Sequence, residues 1–212
     1  MGATLGEAPS RRERRKLEIR ERILDTALEL FESRGYEETT VGEIAERADI
    51  AYGTFFNHFP TKLDLLQELA DRSLRVLFED VEEARKKPGS FTDHLVSVFE
   101  NAAASAVEKG PQARELIQAM MTSAYPELAV SDDRRMRQIF EMLVQDGLDA
   151  GDIRDDVDLE TLVEVVQGTW YSLFLSWVHF DDYPLRERAA ATAGFLARTL
   201  VTPFPQIASP QS

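Results

Sequence analysis

Residues 40–59 read TVGEIAERADIAYGTFFNHF and predict two short helices joined by a tight turn. Thr40 and Glu43 have the spacing of a capping box, in which each residue satisfies a free N–H group of the other, and this pair starts the first helix. Ile44 and Ala48 follow at i, i+4 and therefore lie on one face of that helix. The residues that come next interrupt the helical pattern, so the turn is expected there.

The second short helix carries two apolar stripes. Phe55 and Phe59 lie on one face and are expected to pack on the first helix, while Tyr52 and Phe56 lie on another face. The residues expected to face outward are Tyr52, Thr54, Phe56, Asn57 and His58. A helix-turn-helix that reads DNA requires this division between a packed face and an offered face, so the segment predicts DNA binding.

Three motifs in the first third of the chain carry a family resemblance. They are ELFxxxGY at 29–36, TTVxEIA at 39–45 and GTFFNHFPTK at 53–62. Together they resemble the N-terminal domain of the TetR (tetracycline-repressor-like) transcriptional regulators, over roughly residues 17–77. The remainder resembles that family in helical layout, with a weaker local match, DGLxAGDIR, at 146–154.

The chain as a whole is predicted to be all-α, with about nine helices. Apolar residues recur with helical spacing and almost nothing alternates with the period of a strand. A helix from about Arg14 to Arg34 precedes the motif, a long fourth helix leads from the motif into a C-terminal helical bundle, and a seventh helix is expected over about 132–150. The predicted organisation is a flexible basic arm at 1–13, a DNA-binding domain at 14–62, an effector-binding and dimerisation domain at 63–202 and a disordered tail at 203–212.

A net charge of −14 argues against nucleic-acid binding, but the charge is unevenly distributed. Residues 10–22 contain seven basic and three acidic residues, a local charge of +4, so the rest of the chain carries −18. Phosphate attraction is local because screening limits it to about 8 Å at physiological salt. The basic segment is therefore compatible with DNA binding. A solvated helix start with a flexible tail is the alternative interpretation.

Roles in DNA binding are assigned as hypotheses, residue by residue. Contacts with phosphate or an adjacent minor groove are assigned to Arg11, Arg12, Arg14 and Arg15. Phosphate contacts are assigned to Thr40, at a helix N-terminus, and to His58 and Lys62. Base or sugar contacts are assigned to Tyr52, Thr54 and Asn57, while Gly53 is expected to let the backbone approach DNA.

Two residues depart from the family pattern. Many relatives have Ser where this chain has Ala51, and losing such a helix cap typically costs about 0.5–2 kcal/mol. Relatives commonly have Tyr where Phe56 stands, and that hydroxyl usually touches phosphate. Phe56 has no hydroxyl, but it can contact a thymine methyl or a sugar. These changes bear on the DNA sequence recognised.

The eighth predicted helix is apolar nearly all round, so it must be covered on more than one side. The resemblance implies that the last two helices form a four-helix interface between two copies. The residues expected there are Leu173, Trp177, Ala189, Ala193, Leu196 and Leu200. A wholly internal core is the alternative. A homodimer matters because a two-fold pair of recognition helices reads two half-sites of a palindromic operator in double-stranded DNA.

A small-molecule effector is also implied by the resemblance, in a cavity of the C-terminal bundle. The candidate lining is Phe99, Met120, Met121, Phe140, Trp170, Tyr171 and Phe174, since Met and aromatic side chains suit an adaptable apolar pocket. Plain core is the alternative reading of these stripes. Such a hydrophobic or aromatic ligand is expected to favour a dimer in which the separation of the two recognition helices does not match the operator. The fourth helix, which links the two domains, is expected to transmit this change.

Other classes of protein are disfavoured by composition. The chain has no cysteine, and its three histidines, His58, His94 and His179, are scattered, so neither a metal site nor a catalytic cluster is predicted. No apolar run reaches the roughly 20 residues that span a bilayer. We expect no enzyme activity, no cofactor and a cytoplasmic location. The alternative function is an acidic all-helical interaction protein without sequence-specific DNA binding.

Overall fold

The computed structural model describes residues 10–122 and 126–201, and these residues form nine α-helices. Their bounds are α1 (Arg11–Arg34), α2 (Val41–Arg47), α3 (Tyr52–Phe56), α4 (Lys62–Lys86), α5 (Phe91–Glu108), α6 (Pro111–Thr122), α7 (Pro126–Asp149), α8 (Leu159–His179) and α9 (Leu185–Leu200). The predicted all-α class with about nine helices is confirmed. Residues 1–9 of the predicted arm and the predicted tail at 203–212 lie outside the described residues.

The chain divides into two compact units, Met1–Leu69 and Ala70–Ser212, and the division falls within α4. The sequence predicts the boundary earlier, after residue 62. The first turns of α4 belong to the first unit because Leu65, Leu66 and Leu69 are almost completely buried in its core. A boundary inside a continuous helix leaves no mark in the sequence, since helical periodicity runs through it.

Helix α1 begins at Arg11, three residues before its predicted start. The Ser10 hydroxyl accepts a hydrogen bond from the backbone N–H of Glu13 at 3.2 Å, and the Glu13 carboxylate accepts one from the N–H of Ser10 at 2.7 Å. These bonds form a capping box. Hydrogen bonding by Ser10, first through its side chain and then through its backbone, holds the pKa of Glu13 below its ordinary value. Helix α7 likewise begins earlier than predicted, at Pro126.

The turn that ends α1 depends on a glycine. Gly35 has a φ of 94°, in the region that favours glycine, and donates its N–H to the carbonyl of Phe31 at 2.9 Å. The buried stripe of α1, which includes Ile23, Ala27 and Phe31, then packs in the core of the first unit. Helix α2 follows in contact with α1.

In the second unit, α9 packs along α5, while α8 packs against α6, α7 and α9. The segment 146–154 ties several of these elements together. Asp146 at the end of α7 accepts a hydrogen bond from Arg85 Nη2 at 2.9 Å, and Asp152 accepts one from the N–H of Phe91 at the start of α5 at 2.9 Å. The weaker family match at 146–154 is therefore a structural junction.

Gly147 provides a test of this junction. A Cβ at this position would lie 2.8 Å from Phe91 Cδ2, a separation that real Cβ atoms do not adopt. We expect Gly147→Ala to lower the free energy of unfolding by about 1–3 kcal/mol. Gly42→Ala is the control, because its Cβ would approach Thr40 Oγ1 only to 3.8 Å. Urea titration measures both, and equal stabilities would contradict the packing described.

Candidate nucleic-acid interface

Helices α2 and α3 form the predicted packed face of a helix-turn-helix. Ile44, Ala48, Phe55 and Phe59 each have at most 1% of their surface exposed. Between the helices Asp49 has a φ of 51°, a left-handed conformation that Asp tolerates better than most residues. This tight turn fixes the angle at which α3 leaves α2.

The opposite face of α3 is exposed to solvent. Tyr52 is 60% exposed and Phe56 39%, and their ring centroids lie 5.2 Å apart with the planes at 68°. Asn57 is exposed, and Thr54 is half-buried. A Cβ on Gly53 would meet no atom of the described chain within 4 Å. Tyr52, Gly53, Thr54 and Phe56 thus lie on α3, and Asn57 lies at its carboxyl end. These are the five residues predicted to contact bases or sugars or to let the backbone approach DNA.

The amino end of α3 carries no capping side chain. Its N-cap residue is Ala51, whose extended backbone starts the helix without a side-chain hydrogen bond. A five-residue helix gains little stability from its own hydrogen bonds. The position of α3 therefore depends on tertiary contacts at its buried face and its carboxyl end.

The amino end of α1 presents a cluster of exposed cations. Arg11, Arg12, Arg14 and Arg15 are all exposed in the first turns of the helix. The Ser10 cap makes this cluster helical, whereas the sequence predicts a flexible arm up to residue 13. The missed signal is the Ser-x-x-Glu pattern at 10–13, which matches the one used to place α2.

Thr40 begins α2, as predicted, but its polar groups are already bonded. The Glu43 carboxylate accepts hydrogen bonds from the N–H and the hydroxyl of Thr40, both at 2.9 Å. The backbone bond from Thr40 is the main reason that the pKa of Glu43 is lowered, and Arg34 pairs with the same carboxylate at 2.7 Å. A phosphate at Thr40 would have to share or displace Glu43, and this contact stays a prediction.

His58 differs from its predicted outward position. The residue is half-buried, and its Nδ1 atom is buried without a hydrogen-bond partner among the described residues. Burial, together with the cations Lys16 and Arg20, lowers the pKa of His58. The lowered pKa favours the neutral imidazole over the cation, and the phosphate contact assigned to His58 stays a prediction.

Lys62 has an intramolecular role that sequence reasoning missed. Its ammonium donates to the carbonyl of Tyr36 and, at 3.4 Å, to that of Glu37, and it lies 4.0 Å from the centroid of the Tyr36 ring. These contacts fasten the start of α4 to the loop after α1. The phosphate contact assigned to Lys62 stays a prediction, and a phosphate would compete with these intramolecular contacts for the ammonium group.

In the second unit, four of the predicted effector residues form one aromatic cluster. The ring of Trp170 lies 5.2 Å from that of Phe99, 5.5 Å from that of Phe140 and 4.8 Å from that of Phe174, between centroids. All four side chains are buried. The structure thus brings together residues from α5, α7 and α8 at the centre of the bundle.

The other three predicted effector residues are more accessible. Met120 and Met121 of α6 and Tyr171 of α8 are half-buried. A buried polar side chain, Gln167, lies one turn before Tyr171 on α8 and was missed. Its signal was a lone amide in an otherwise apolar stretch. A polar group of this kind orients a ligand in an apolar site.

The residues predicted at the dimer interface require a correction. Leu173, Trp177, Ala189, Ala193, Leu196 and Leu200 are at most 6% exposed within a single chain. They pack in the core of the second unit, so they have almost no surface to lose to a partner. The alternative reading, an internal core, applies to these six residues.

A different face of α8 and α9 is apolar and exposed. Val165 is 46% exposed, Leu175 44% and Phe195 59%. A Cβ on Gly168 of the same α8 face would meet no described atom within 4 Å, which permits close approach of another helix. We call Val165, Gly168, Leu175 and Phe195 the exposed stripe. Its signal in the sequence was that α8 is apolar on more than one side.

Two other kinds of site were sought in the described residues. None of the described helices combines the length and apolarity needed to cross a bilayer. Across residues 10–122 and 126–201, no three His, Asp or Glu side chains come together as a group that could hold a metal ion.

The geometry of α2 and α3 is that of a helix-turn-helix, a motif that DNA-binding proteins use, and comparisons with known proteins specify which kind. Residues 23–69 match the family model described as "Bacterial regulatory proteins, tetR family". The chain is 29% identical over 184 residues to the HTH-type transcriptional repressor KstR of Rhodococcus jostii, covering 83% of this chain and 80% of the relative.

Solved structures show the same fold. The Thermus thermophilus FadR, solved with lauroyl-CoA, superposes with a TM-score of 0.71 at 24% identity, covering 91% of this chain and all of that one. The Bacillus subtilis FadR, solved with stearoyl-CoA, gives 0.68 at 22% identity, covering 87% and 99%. Residues 23–69, which include α2, α3 and the start of α4, thus carry the match to the tetR family of bacterial regulatory proteins. The curated relatives that match over most of this chain include transcriptional repressors.

Proposed function

We propose that this protein is a cytoplasmic, homodimeric repressor that binds a palindromic operator and is released from it by a small hydrophobic effector. The observation that carries the proposal is the division of α3 into a buried face and an exposed face. Phe55 is completely buried on one side, and Tyr52 and Phe56 are exposed on the other. Apolar exposure on so short a helix is expected where the helix meets another molecule.

Base reading is proposed for the exposed face of α3. Tyr52 and Phe56 form an apolar ridge suited to thymine methyl groups, and Asn57 supplies the amide that pairs with adenine edges. Gly53 and Thr54 border this ridge. The arginines at the start of α1 supply sequence-independent attraction to phosphate or the minor groove.

Dimerisation is proposed through the exposed stripe of α8 and α9. A two-fold interface places the same patch of both copies in contact, so each apolar residue of the stripe is buried in both protomers. Support comes from the exposure of Leu175 and Phe195, two large apolar side chains that a single chain leaves in water. Pairing of two protomers supplies a second recognition helix, so that both half-sites of a palindromic operator can be read.

Effector binding is proposed at the aromatic cluster around Trp170. The half-buried Met120, Met121 and Tyr171 provide adjustable surface, and Gln167 provides a polar group. The structural relatives solved with lauroyl-CoA and stearoyl-CoA make an acyl thioester the first ligand class to test. Because the four rings pack closely, the ligand has to displace ring contacts as it enters.

A route from this cluster to α4 is proposed through two ion pairs with α7. Arg85 of α4 pairs with Asp146, and its hydrogen bond is the main reason that the pKa of Asp146 is lowered. Arg135 of α7 pairs with Asp71 of α4. Phe140 lies between these positions on α7, so a shift of α7 around a ligand reaches α4 through both pairs. Coupling requires different affinities for two states, typically about 1–3 kcal/mol.

The experiment that tests this function is fluorescence anisotropy with labelled DNA from upstream of the chain's own coding sequence. We expect saturable binding that excess random duplex does not abolish. Lauroyl-CoA or stearoyl-CoA should then release the DNA, whereas coenzyme A alone should not. Operator binding that is indifferent to acyl thioesters would reject this effector class, and absence of preference for any duplex would reject the function itself.

Thymine reading by the aromatic ridge gives a separate prediction. Replacing a contacted thymine by deoxyuridine removes one methyl group. Because burial of one such carbon contributes about 0.8 kcal/mol, the replacement should weaken binding about fourfold. The Phe56→Ala or Tyr52→Ala protein should no longer distinguish the two bases at that position. Deoxyuridine placed at the remaining thymines serves as the control. If every position responds alike in all proteins, the ridge does not read methyl groups.

A further inference from the structure

Arg20 lies on α1 among the basic residues of the first unit, but its contacts differ from those of its neighbours. Its Nη1 donates to the carbonyl of His58 at 2.8 Å, just after the end of α3. Its Nη2 donates to Glu68 of α4 at 2.9 Å. Its guanidinium carbon lies 4.2 Å from the centroid of the Phe59 ring, which is a cation–π geometry. One side chain therefore joins α1, the end of α3 and α4.

The position of these contacts matters because the two ends of α3 are held differently. Ala51 gives its amino end no side-chain cap. At the carboxyl end the His58 carbonyl accepts from a fixed cation, which suits the negative end of a helix. Phe59, the residue that Arg20 covers, is itself buried. The carboxyl end of α3 is thus fixed by Arg20 together with the buried aromatic residues.

Arg20 is also less available to DNA than the arginines at the start of α1. About a third of its side chain, 31%, is exposed, and that of its partner Glu68 is 28% exposed. Arg11, Arg12, Arg14 and Arg15 are all exposed. The planar guanidinium fork serves two acceptors and an aromatic face at once, an arrangement that an ammonium group cannot reproduce.

We propose that Arg20, held by Glu68, is a positioning residue that sets the orientation of the recognition helix and thereby the sequence specificity of DNA binding, without contacting phosphate. This inference rests on the proposed function. It separates the basic residues of α1 into two groups. The arginines at the start of the helix supply affinity for any duplex, and Arg20 supplies discrimination through the pose of Tyr52, Phe56 and Asn57.

The test compares three variants, Arg20→Gln, Arg20→Lys and Glu68→Gln, with Arg15→Gln. For each protein, the dissociation constants for the selected operator and for a random duplex are measured at several salt concentrations, using the active fraction found by stoichiometric titration. The operator-to-random ratio is the association constant for the operator divided by that for the random duplex. We expect Arg20→Gln to lower this ratio roughly tenfold, the size of one lost base contact, with the salt slope unchanged. Arg15→Gln should flatten the slope by about 0.9 and keep the ratio.

Arg20→Lys and Glu68→Gln keep the test valid if Arg20→Gln folds poorly, and both should lower the ratio by a smaller factor. General destabilisation would weaken operator and random binding equally, so it leaves the ratio unmoved. A ratio that is unchanged in all three variants overturns the inference, as does a flattened salt slope with Arg20→Gln, which would make Arg20 a phosphate contact. If the unmodified protein itself shows no preference for any duplex, the proposed function fails first.

Discussion

Replacing Leu175 or Phe195 by glutamate is expected to convert the protein into folded monomers that bind the operator on the order of 10²–10⁴-fold more weakly. Both side chains belong to the exposed stripe. In a two-fold interface one substitution buries two carboxylates, one from each protomer, and burying unpaired charges is unfavourable. The loss of affinity follows because a monomer places one recognition helix on one half-site. Sedimentation equilibrium measures the mass, and anisotropy measures the affinity.

Phe78→Glu is the matched control, since Phe78 is an aromatic residue of α4 that is 41% exposed and lies outside the stripe. It should leave both the dimer and operator affinity unchanged. Trp177→Glu should behave differently again, because Trp177 is 4% exposed in the core of the second unit and its replacement should unfold the protein. A Phe195→Glu protein that remains a dimer would place the interface elsewhere.

Neutralising the arginines at the start of α1 is the second change with a large expected effect. A protein with glutamine at Arg11, Arg12, Arg14 and Arg15 should lose affinity for operator and random DNA alike. The logarithm of the binding constant should depend less steeply on the logarithm of salt concentration, by about 0.9 for each phosphate contact removed. Because phosphate contacts carry no direct sequence information, the operator-to-random ratio should be kept.

The control carries glutamine at four exposed cations of the second unit, Lys86, Lys87, Lys109 and Arg134. It removes the same charge from a protein whose total is −14, so a general effect of net charge would appear in both proteins. Equal salt slopes in the two variants would show that the α1 arginines do not contact phosphate. In that case the local charge at residues 10–22 is a solvated helix start.

The helix-turn-helix could be predicted from the sequence because its determinants are local. Thr40 and Glu43 are three residues apart, and Phe55 and Phe59 share a face at i, i+4, so spacing alone indicates the cap and the buried side. The same reasoning applied to Ser10 and Glu13 would have placed the start of α1. Local rules therefore account for most of the fold and for the exposed face of α3.

The remaining features depend on contacts between residues distant in sequence. Periodicity shows that α8 is apolar on several sides, but it does not distinguish Trp177, which faces the core, from Leu175, which faces solvent. Nor does a basic helix reveal that Arg20 reaches residues 58 and 68 while the arginines before it face solvent. Partners chosen by tertiary packing leave no spacing signal in a single chain.

The measurement that most directly tests the account is selection of bound duplexes from a random DNA pool, followed by determination of the mass of the purified complex. We expect an inverted repeat whose half-sites are separated by about one or two turns of B-form DNA, 10–10.5 base pairs per turn, with protomers bound in pairs. We also expect thymines at the positions facing Tyr52 and Phe56. A pool that returns no common sequence, or a single half-site bound by one protomer, would contradict it.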